Sequence, residues 1–218
     1  MDKENIIKNT IQFVKETLEG AEGGHDWFHI QRVLNNAKLI AVSEDVDVFI
    51  VQLGALLHDI ADAKFYDGDE SIGPKKARAF LESQKVSEEI IVHIENIIKY
   101  ISYKSSLSIE TTFASPELAV VQDADRLDAI GAIGIARCFN YGGFKNRALY
   151  DPEIPPNLSM TKEEYKKSIS PTINHFYEKL LLLKDKMNTD TGRRIANDRH
   201  AYMEGFLAQF YGEWDGRK

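Results

Sequence analysis

The chain has 218 residues, of which 43% are hydrophobic and 28% charged, a globular composition that needs no disulfide to hold a core. Glycine and proline number only 14 and 6, which excludes collagenous and low-complexity proteins. Acidic residues outnumber basic ones 34 to 27, giving a formal net charge of -7 without a long basic run. A nucleic-acid duplex or an anionic membrane is therefore not expected as the main partner, because both require a clustered basic surface.

The first residues and the hydropathy of the chain predict no targeting segment. The start, MDKENIIKNT, is charged and lacks the apolar region of a secretory signal. No apolar run approaches the roughly 18 residues of a membrane span. The lone Cys138 cannot form an internal disulfide. We therefore expect a soluble, cytoplasmic protein.

The hydrophobic periodicity is helical from the first residues onward. Apolar residues three and four apart predict a first helix, which Gly20 ends: Ile7, Ile11, Val14 and Leu18. A second stripe follows at 30–37. Asp47 is placed to cap a third helix that continues through His58.

Prolines and a serine mark where the later helices begin. Four residues give these start signals: Pro74, Ser87, Pro116 and Pro171. The helix that Pro116 opens is predicted to run towards Phe139, and the last helix to run from about 192 to 211. Loops are expected at 66–73 and at 142–160, and the longer one is a candidate substrate loop. Because no alternating strand pattern or internal repeat is present, we predict an all-α fold.

Three segments combine histidines with carboxylates. Their members are His25 and His29 in the first, His58, Asp59 and Asp62 in the second, and Asp125 and Asp128 in the third. Imidazole nitrogen together with carboxylate oxygen suits Mn, Fe, Co, Ni or Zn better than a pure Mg or Ca site. Since no single helix supplies the whole set, the pattern makes sense in the core of a helical bundle.

The His58-Asp59 pair stands in a stretch that is apolar almost all round. Burying two ionisable groups there is costly unless they are paired or bind a metal. Asp62, four residues after His58, is expected on the same helical face, and Asp125 and Asp128 share a face in the same way. We expect these acids to surround a cation that relieves their repulsion.

Other interpretations of these segments remain open. A buried His-Asp pair is commonly a hydrogen-bonded core pair, and Asp128 could satisfy a neighbouring helix end. The segment HDWFH is similar to the zinc-protease motif HExxH, with Asp in place of Glu. A zinc-protease site built on this segment would not explain the His58-Asp59 pair. The sequence contains no GxSxG motif of a serine hydrolase, no GxGxxG motif of a dinucleotide-binding fold and no P-loop motif.

The ordered set of His29, His58-Asp59 and Asp125 resembles the HD-domain metal-dependent phosphohydrolase superfamily. The segments GHDWFHIQRV, GALLHDIADAK and VVQDADRLDAIGAIGIAR look like one bacterial subgroup of stand-alone HD proteins. The characterised members of that subgroup include a nucleotide pyrophosphohydrolase. The similarity extends from about residue 6 to about residue 213.

The resemblance implies a set of site residues and a cofactor. His29, His58, Asp59 and Asp125 become the ligands of one divalent metal ion, expected to be Mn, with Fe, Co, Ni, Zn or Mg as alternatives. Asp62 falls where related HD nucleotidases place an acid that acts on the nucleophilic water. Three basic residues are candidates for binding the phosphate oxygens of the substrate: His25, Lys64 and Arg126.

The predicted function is hydrolysis of the α–β anhydride of nucleoside or deoxynucleoside triphosphates to monophosphate and pyrophosphate. The partner is then a small phosphorylated substrate, namely a nucleotide. One alternative is a 5′-nucleotidase or other phosphomonoesterase on the same site, and another is a metal-stabilised binding module without turnover. We expect a single HD-type helical bundle over 1–218, with the metal-binding core at about 25–130 and C-terminal helices at about 161–213 completing it. A bundle of this size is compatible with a homodimer.

Overall fold

The computed structural model describes residues 2–20, 26–61, 69–101, 113–161 and 169–218. These ranges contain nine α-helices, one 3₁₀ helix and no strand, so the all-α prediction is confirmed. The helices are α1 (Lys3–Thr17), α2 (Trp27–Ala41), α3 (Val48–Leu57), α4 (Ile72–Ser83), α5 (Glu88–Tyr100), α6 (Pro116–Asp128), α7 (Gly131–Phe144), α8 (Asn174–Glu178), the 3₁₀ helix (Leu180–Lys186) and α9 (Asp190–Trp214). Among the described residues, no helix is long and apolar enough to span a membrane.

The chain divides into two compact units, Met1–Asp125 and Arg126–Lys218. In the first unit, α2 packs against α3, α4 packs against α5, and α3 also contacts α1 and α5. The core of this unit consists of fully buried aliphatic side chains, among them Val33, Ile40, Leu53, Leu57 and Ile94. The prediction that the chain forms a single domain stays a prediction.

Helix α3 lies at the centre of the first unit because Gly54 allows a close approach. A Cβ at Gly54 would stand 3.2 Å from side-chain methyl groups of both Ile97 on α5 and Val121 on α6. This is tighter than ordinary van der Waals contact, so a larger residue would push the helices apart. Helix α3 therefore ends beside α6, the helix that carries Asp125 and Asp128.

The second unit is built around the long helix α9, which packs against α7 and the 3₁₀ helix. Aromatic rings fill the space along α9. The ring of Phe206 lies 5.8 Å from that of Phe139 and 5.9 Å from that of Phe176. Further along the helix, Tyr150 contacts Trp214 edge-on at 5.0 Å. Such rings bury large apolar areas and favour these stacked and edge-on geometries.

The predicted continuous helix from Pro116 towards Phe139 is wrong. The chain forms α6 and α7 instead, because a tight turn interrupts it after Asp128. The backbone N–H groups of Ala129 and Ile130 bond three residues back, and Gly131 has a φ of +77°. A left-handed φ is easily adopted only by glycine, so the chain can change direction there.

Two other helix predictions need correction. The segment after Pro171 forms two short pieces, α8 and the 3₁₀ helix, rather than one helix. The last helix is longer than predicted and begins where the Thr189 side chain accepts a bond from the backbone N–H of Gly192. The predicted loop at 142–160 begins only after α7 ends at Phe144, and part of the predicted loop at 66–73 belongs to α4.

Helix α3 ends at Leu57, and His58 is its C-cap residue. The prediction that His58 continues the helix is therefore wrong, and the shared helical face proposed for His58 and Asp62 loses its basis. Residues 58–61 form turns and bends, and Asp62 lies outside the described residues. An apolar stretch predicts a buried segment well, but it does not show where the helical hydrogen bonds stop.

Candidate metal centre

The start of α2 places His29. Asp26 is the N-cap of this helix, and its carboxylate accepts a hydrogen bond of 2.9 Å from the backbone N–H of His29. A capping carboxylate satisfies an N–H group that has no partner within the helix. The cap therefore fixes the first turn of α2. His29, which lies in this turn, is only 3% exposed.

The end of α3 places His58 and also fixes its tautomer. Its side chain is 4% exposed, and its Nδ1 lies 2.9 Å from the carbonyl oxygen of Ala55. Because a carbonyl oxygen can only accept, Nδ1 carries the proton and donates it. The lone pair of Nε2 is then directed away from α3. A histidine bonded in this way is oriented for binding a metal through its other nitrogen.

Asp125 on α6 completes a cluster of three donors. Its Oδ1 lies 3.5 Å from Nε2 of His29 and 3.9 Å from Nε2 of His58. The two imidazole rings are 5.4 Å apart and inclined by 67°. The donor atoms of the three residues all lie within 4.8 Å of one another. Asp125 is 41% exposed at its side chain, so solvent reaches the centre from the α6 side.

These distances fit a divalent cation better than a set of direct hydrogen bonds. The nitrogen–oxygen separations exceed the usual hydrogen-bond range, which ends near about 3.2 Å. Donors bound at about 2.1 Å to one ion stand roughly 3 Å or slightly more apart. Two imidazole nitrogens and one carboxylate oxygen also form a donor set that divalent transition metals favour. The residues therefore fit a divalent metal ion.

The fourth predicted ligand, Asp59, directly follows His58 and is half-buried. It lies outside the group of three mutually close donors and makes a polar interaction of its own. Its role as a ligand stays a prediction. Three more predicted site residues lie outside the described residues: His25, Asp62 and Lys64.

Arg126 is the one predicted phosphate-binding residue that the structure describes. Its guanidinium donates a 2.6 Å hydrogen bond to the backbone carbonyl of Lys186 within the second unit. This contact holds part of the guanidinium group, which has five N–H donors in total. Its role in substrate binding stays a prediction.

Asp128, which the sequence analysis also weighed, has a structural partner. Asp128 is almost fully buried, and its carboxylate pairs with Arg137 at 2.5 Å rather than joining the three donors. Arg137 also bonds the backbone carbonyl of Asp128. The carboxylate of Asp128 is therefore engaged in an ion pair, and the expectation that it shares a cation with Asp125 stays a prediction.

Sequence reasoning missed the contacts of two residues close to the centre, Asp26 and Asn36. Asp26 stands three residues before His29, which is the spacing of an N-cap bond, and could have been found from that signal. Asn36 is a buried polar residue on the apolar side of α2, and its amide bonds the carbonyl oxygen of Ala124. A polar residue within an apolar stripe was a weaker signal, because its partner lies 88 residues away.

Comparison with known proteins identifies the family. The HD domain model matches residues 27–130, which contain all three donors. The uncharacterized protein YpgQ of Bacillus subtilis is 37% identical over 197 residues, covering 90% of this chain and 88% of YpgQ. The chain belongs to the HD domain family. As an HD protein it is a metal-dependent phosphohydrolase, and the family implies a divalent ion at the site described above.

Two crystal structures resemble this HD protein over nearly its whole length. An HD-superfamily hydrolase from Bacillus thuringiensis is 46% identical, with a TM-score of 0.78 and 98% of each chain covered. The structure of B. subtilis YpgQ in complex with ADP is 35% identical, with a TM-score of 0.73, and covers 98% of this chain and 97% of YpgQ. The similarity extends to both compact units of the HD protein.

Proposed function

We propose that this HD phosphohydrolase cleaves the α–β anhydride of nucleoside or deoxynucleoside triphosphates, releasing the monophosphate and pyrophosphate. The observation that carries the proposal is the convergence of His29, His58 and Asp125 at one solvent-accessible point. The ADP bound to YpgQ supports a nucleotide as the substrate class, since that protein shares the fold and a third of its sequence with this one.

The three donors, with Asp59 as the proposed fourth, would hold one divalent ion. Such an ion lowers the pKa of a bound water and polarises a phosphoryl oxygen. The chain's contribution is to fix the donors before substrate arrives. The bond from His58 to the carbonyl of Ala55 keeps its Nε2 available, and the cap on α2 holds His29 in place.

The remaining proposed residues act on protons and charge. Asp62 accepts a proton from the attacking water while the water oxygen bonds to phosphorus and the anhydride P–O bond breaks. Pyrophosphate then leaves with the electron pair of that bond. His25, Lys64 and Arg126 neutralise the non-bridging oxygens, because phosphoryl transfer depends on positioning and electrostatic stabilisation.

Product analysis tests this function. Purified protein with Mn²⁺ is incubated with nucleoside mono-, di- and triphosphates, and pyrophosphate and orthophosphate are quantified separately. Pyrophosphate from triphosphates, lost in Asp125→Asn and retained in the exposed control Asp45→Asn, is the expected result. Orthophosphate from monophosphates would instead favour the 5′-nucleotidase. No product from any nucleotide would overturn the proposed substrate class.

A further inference from the structure

A buried amide joins two helices beside the proposed metal centre. Asn36 on α2 is 9% exposed, and its Nδ2 donates a 3.1 Å hydrogen bond to the backbone carbonyl oxygen of Ala124 on α6. Burying an amide is unfavourable unless its polar atoms are bonded. This contact is therefore specific, and it links residues 88 positions apart in the chain.

The position of this bond relies on the helical repeat. Asn36 follows His29 by seven residues, which is close to two turns, so both side chains lie on the same face of α2 about 10 Å apart along its axis. On α6, Ala124 directly precedes Asp125. Helices α2 and α6 therefore come together both at the His29–Asp125 approach of 3.5 Å and at the Asn36–Ala124 bond.

The carbonyl of Ala124 does not need Asn36 for its own satisfaction. It lies within α6, where a carbonyl accepts a bond from the N–H four residues later. The second lone pair of that oxygen receives the amide. Loss of the amide thus leaves no unsatisfied backbone carbonyl. What it removes is a bond between α2 and α6 at the residue directly before Asp125.

We propose that Asn36 is a positioning residue of the metal centre, which acts through Ala124 to hold the Asp125 carboxylate at the correct distance from His29. This inference rests on the proposed function of the three donors as metal ligands. Side chains that orient ligands from outside the coordination sphere typically change metal affinity by about 10- to 100-fold. Because Asn36 acts through the backbone of a neighbouring residue, we place its effect at about tenfold, the lower end of that range.

Cobalt titration of the metal-stripped full chain tests the proposal. Asn36→Leu replaces the amide with an apolar side chain of similar volume, and Asn35→Leu is the matched control at the adjacent, exposed asparagine. Two properties are measured for each protein, the Co²⁺ affinity with its visible absorption spectrum and the unfolding temperature without metal. We expect Asn36→Leu to bind Co²⁺ about tenfold more weakly, with an altered spectrum. The control should match the original chain, and the metal-free unfolding temperatures should be similar.

Equal Co²⁺ affinity and spectrum for Asn36→Leu and the original chain would overturn the positioning role while leaving the metal centre intact. An equal loss in Asn35→Leu would overturn it too, since the effect would then not depend on the bond to Ala124. Failure of the original chain to bind Co²⁺ would instead overturn the metal centre and this inference together. Should Asn36→Leu not fold, Asn36→Ser, whose hydroxyl is too short to reach Ala124, is compared in the same way.

Discussion

At the scale of single residues, each donor of the metal centre depends on a different structural feature. An N-cap bond holds the turn that carries His29, and a carbonyl at the end of α3 fixes the tautomer of His58. Asp125 relies on the position of α6 and keeps 41% of its side chain exposed. The tautomer of His58 is thus fixed before any ion binds, whereas the carboxylate of Asp125 is open to solvent.

The identities of these donors could be predicted from the sequence, but their neighbours could not. An ordered His, His-Asp and Asp pattern on apolar segments already indicates a shared cation. The burial of Asp128 against Arg137 follows instead from how α6 and α7 meet, which no spacing rule contains. The same reason explains why Asn36 was missed, since its partner is a backbone atom on a distant helix.

Asp62→Ala tests the proposed general base. Without a carboxylate to accept the proton of the attacking water, kcat is expected to fall by about 10²- to 10⁴-fold. Metal content and the unfolding temperature should stay the same. The measurement is pyrophosphate release from a triphosphate at saturating Mn²⁺, with Asp45→Ala as an exposed acidic control. An unchanged kcat would show that Asp62 is not the base.

At the scale of elements, the C-terminal end of α6 is stabilised by arginines. Arg199 donates a 2.5 Å bond to the carbonyl of Leu127, and Arg137 bonds both the carbonyl and the carboxylate of Asp128. The last carbonyls of a helix lack intrahelical partners and carry partial negative charge, so cations there are favourable. These contacts end α6 three residues after Asp125.

Helix boundaries were the least predictable feature at this scale. The break between α6 and α7 requires the positive φ of Gly131, yet apolar residues continue with helical spacing through the turn. The end of α3 at Leu57 was hidden in the same way by the apolar residues that follow it. Periodicity reports which side of a segment is buried, and it does not report where hydrogen bonding stops.

Arg137→Met tests the stabilisation of this end of α6. The substitution removes a directly bonded guanidinium from the carboxylate of Asp128, whose side chain is 2% exposed. Removing one partner of a buried pair is strongly destabilising, and we expect the free energy of unfolding to fall by about 2 to 3 kcal/mol because Arg137 is partly exposed.

Urea denaturation measures this change. The control is Arg217→Met, which breaks a pair whose acidic partner Asp215 keeps 48% of its side chain exposed and should cost no more than about 1 kcal/mol. Equal losses in the two variants would mean that the Asp128–Arg137 pair adds nothing beyond a surface ion pair.

At the scale of the whole molecule, the sequence predicted the all-α class and a match to known proteins over nearly the full length. It did not indicate the division into two compact units at Asp125 and Arg126, because the boundary lies within α6 and carries no linker composition. Glycine, proline and charge runs mark boundaries in loops, and a boundary within a helix leaves no such signal.

The second unit gives the protein a predictable sensitivity to acid. Burial of the His175 ring, with Lys179 and Arg147 nearby, lowers its pKa from 6.5 to about 4. The folded chain therefore keeps this ring neutral where the unfolded chain already binds a proton. The contribution of the His175 ring to the free energy of unfolding is fully present above pH 6.5. It decreases as the pH drops from 6.5 to 4 and changes no further below pH 4.

His175→Gln should remove this acid sensitivity. From the lowered pKa, the original chain is expected to lose about 2 kcal/mol more unfolding free energy than the variant between pH 7 and pH 5. Urea denaturation at both values measures the difference, and the interval from pH 7.5 to 8.5 is the control, since the ring is neutral in both states there. A parallel decline of the two proteins towards pH 5 would contradict the lowered pKa.

The claim on which the account depends most is that His29, His58 and Asp125 hold a divalent ion. The most direct measurement is the metal content of the chelator-treated chain after it has been reloaded with Mn²⁺ and passed through a desalting column. His58→Gln removes one donor, and His93→Gln is the matched control because its ring bonds Ser115 outside the centre. We expect about one ion per chain for the original protein and the control, and almost none for His58→Gln. Full retention of Mn²⁺ by His58→Gln would contradict it.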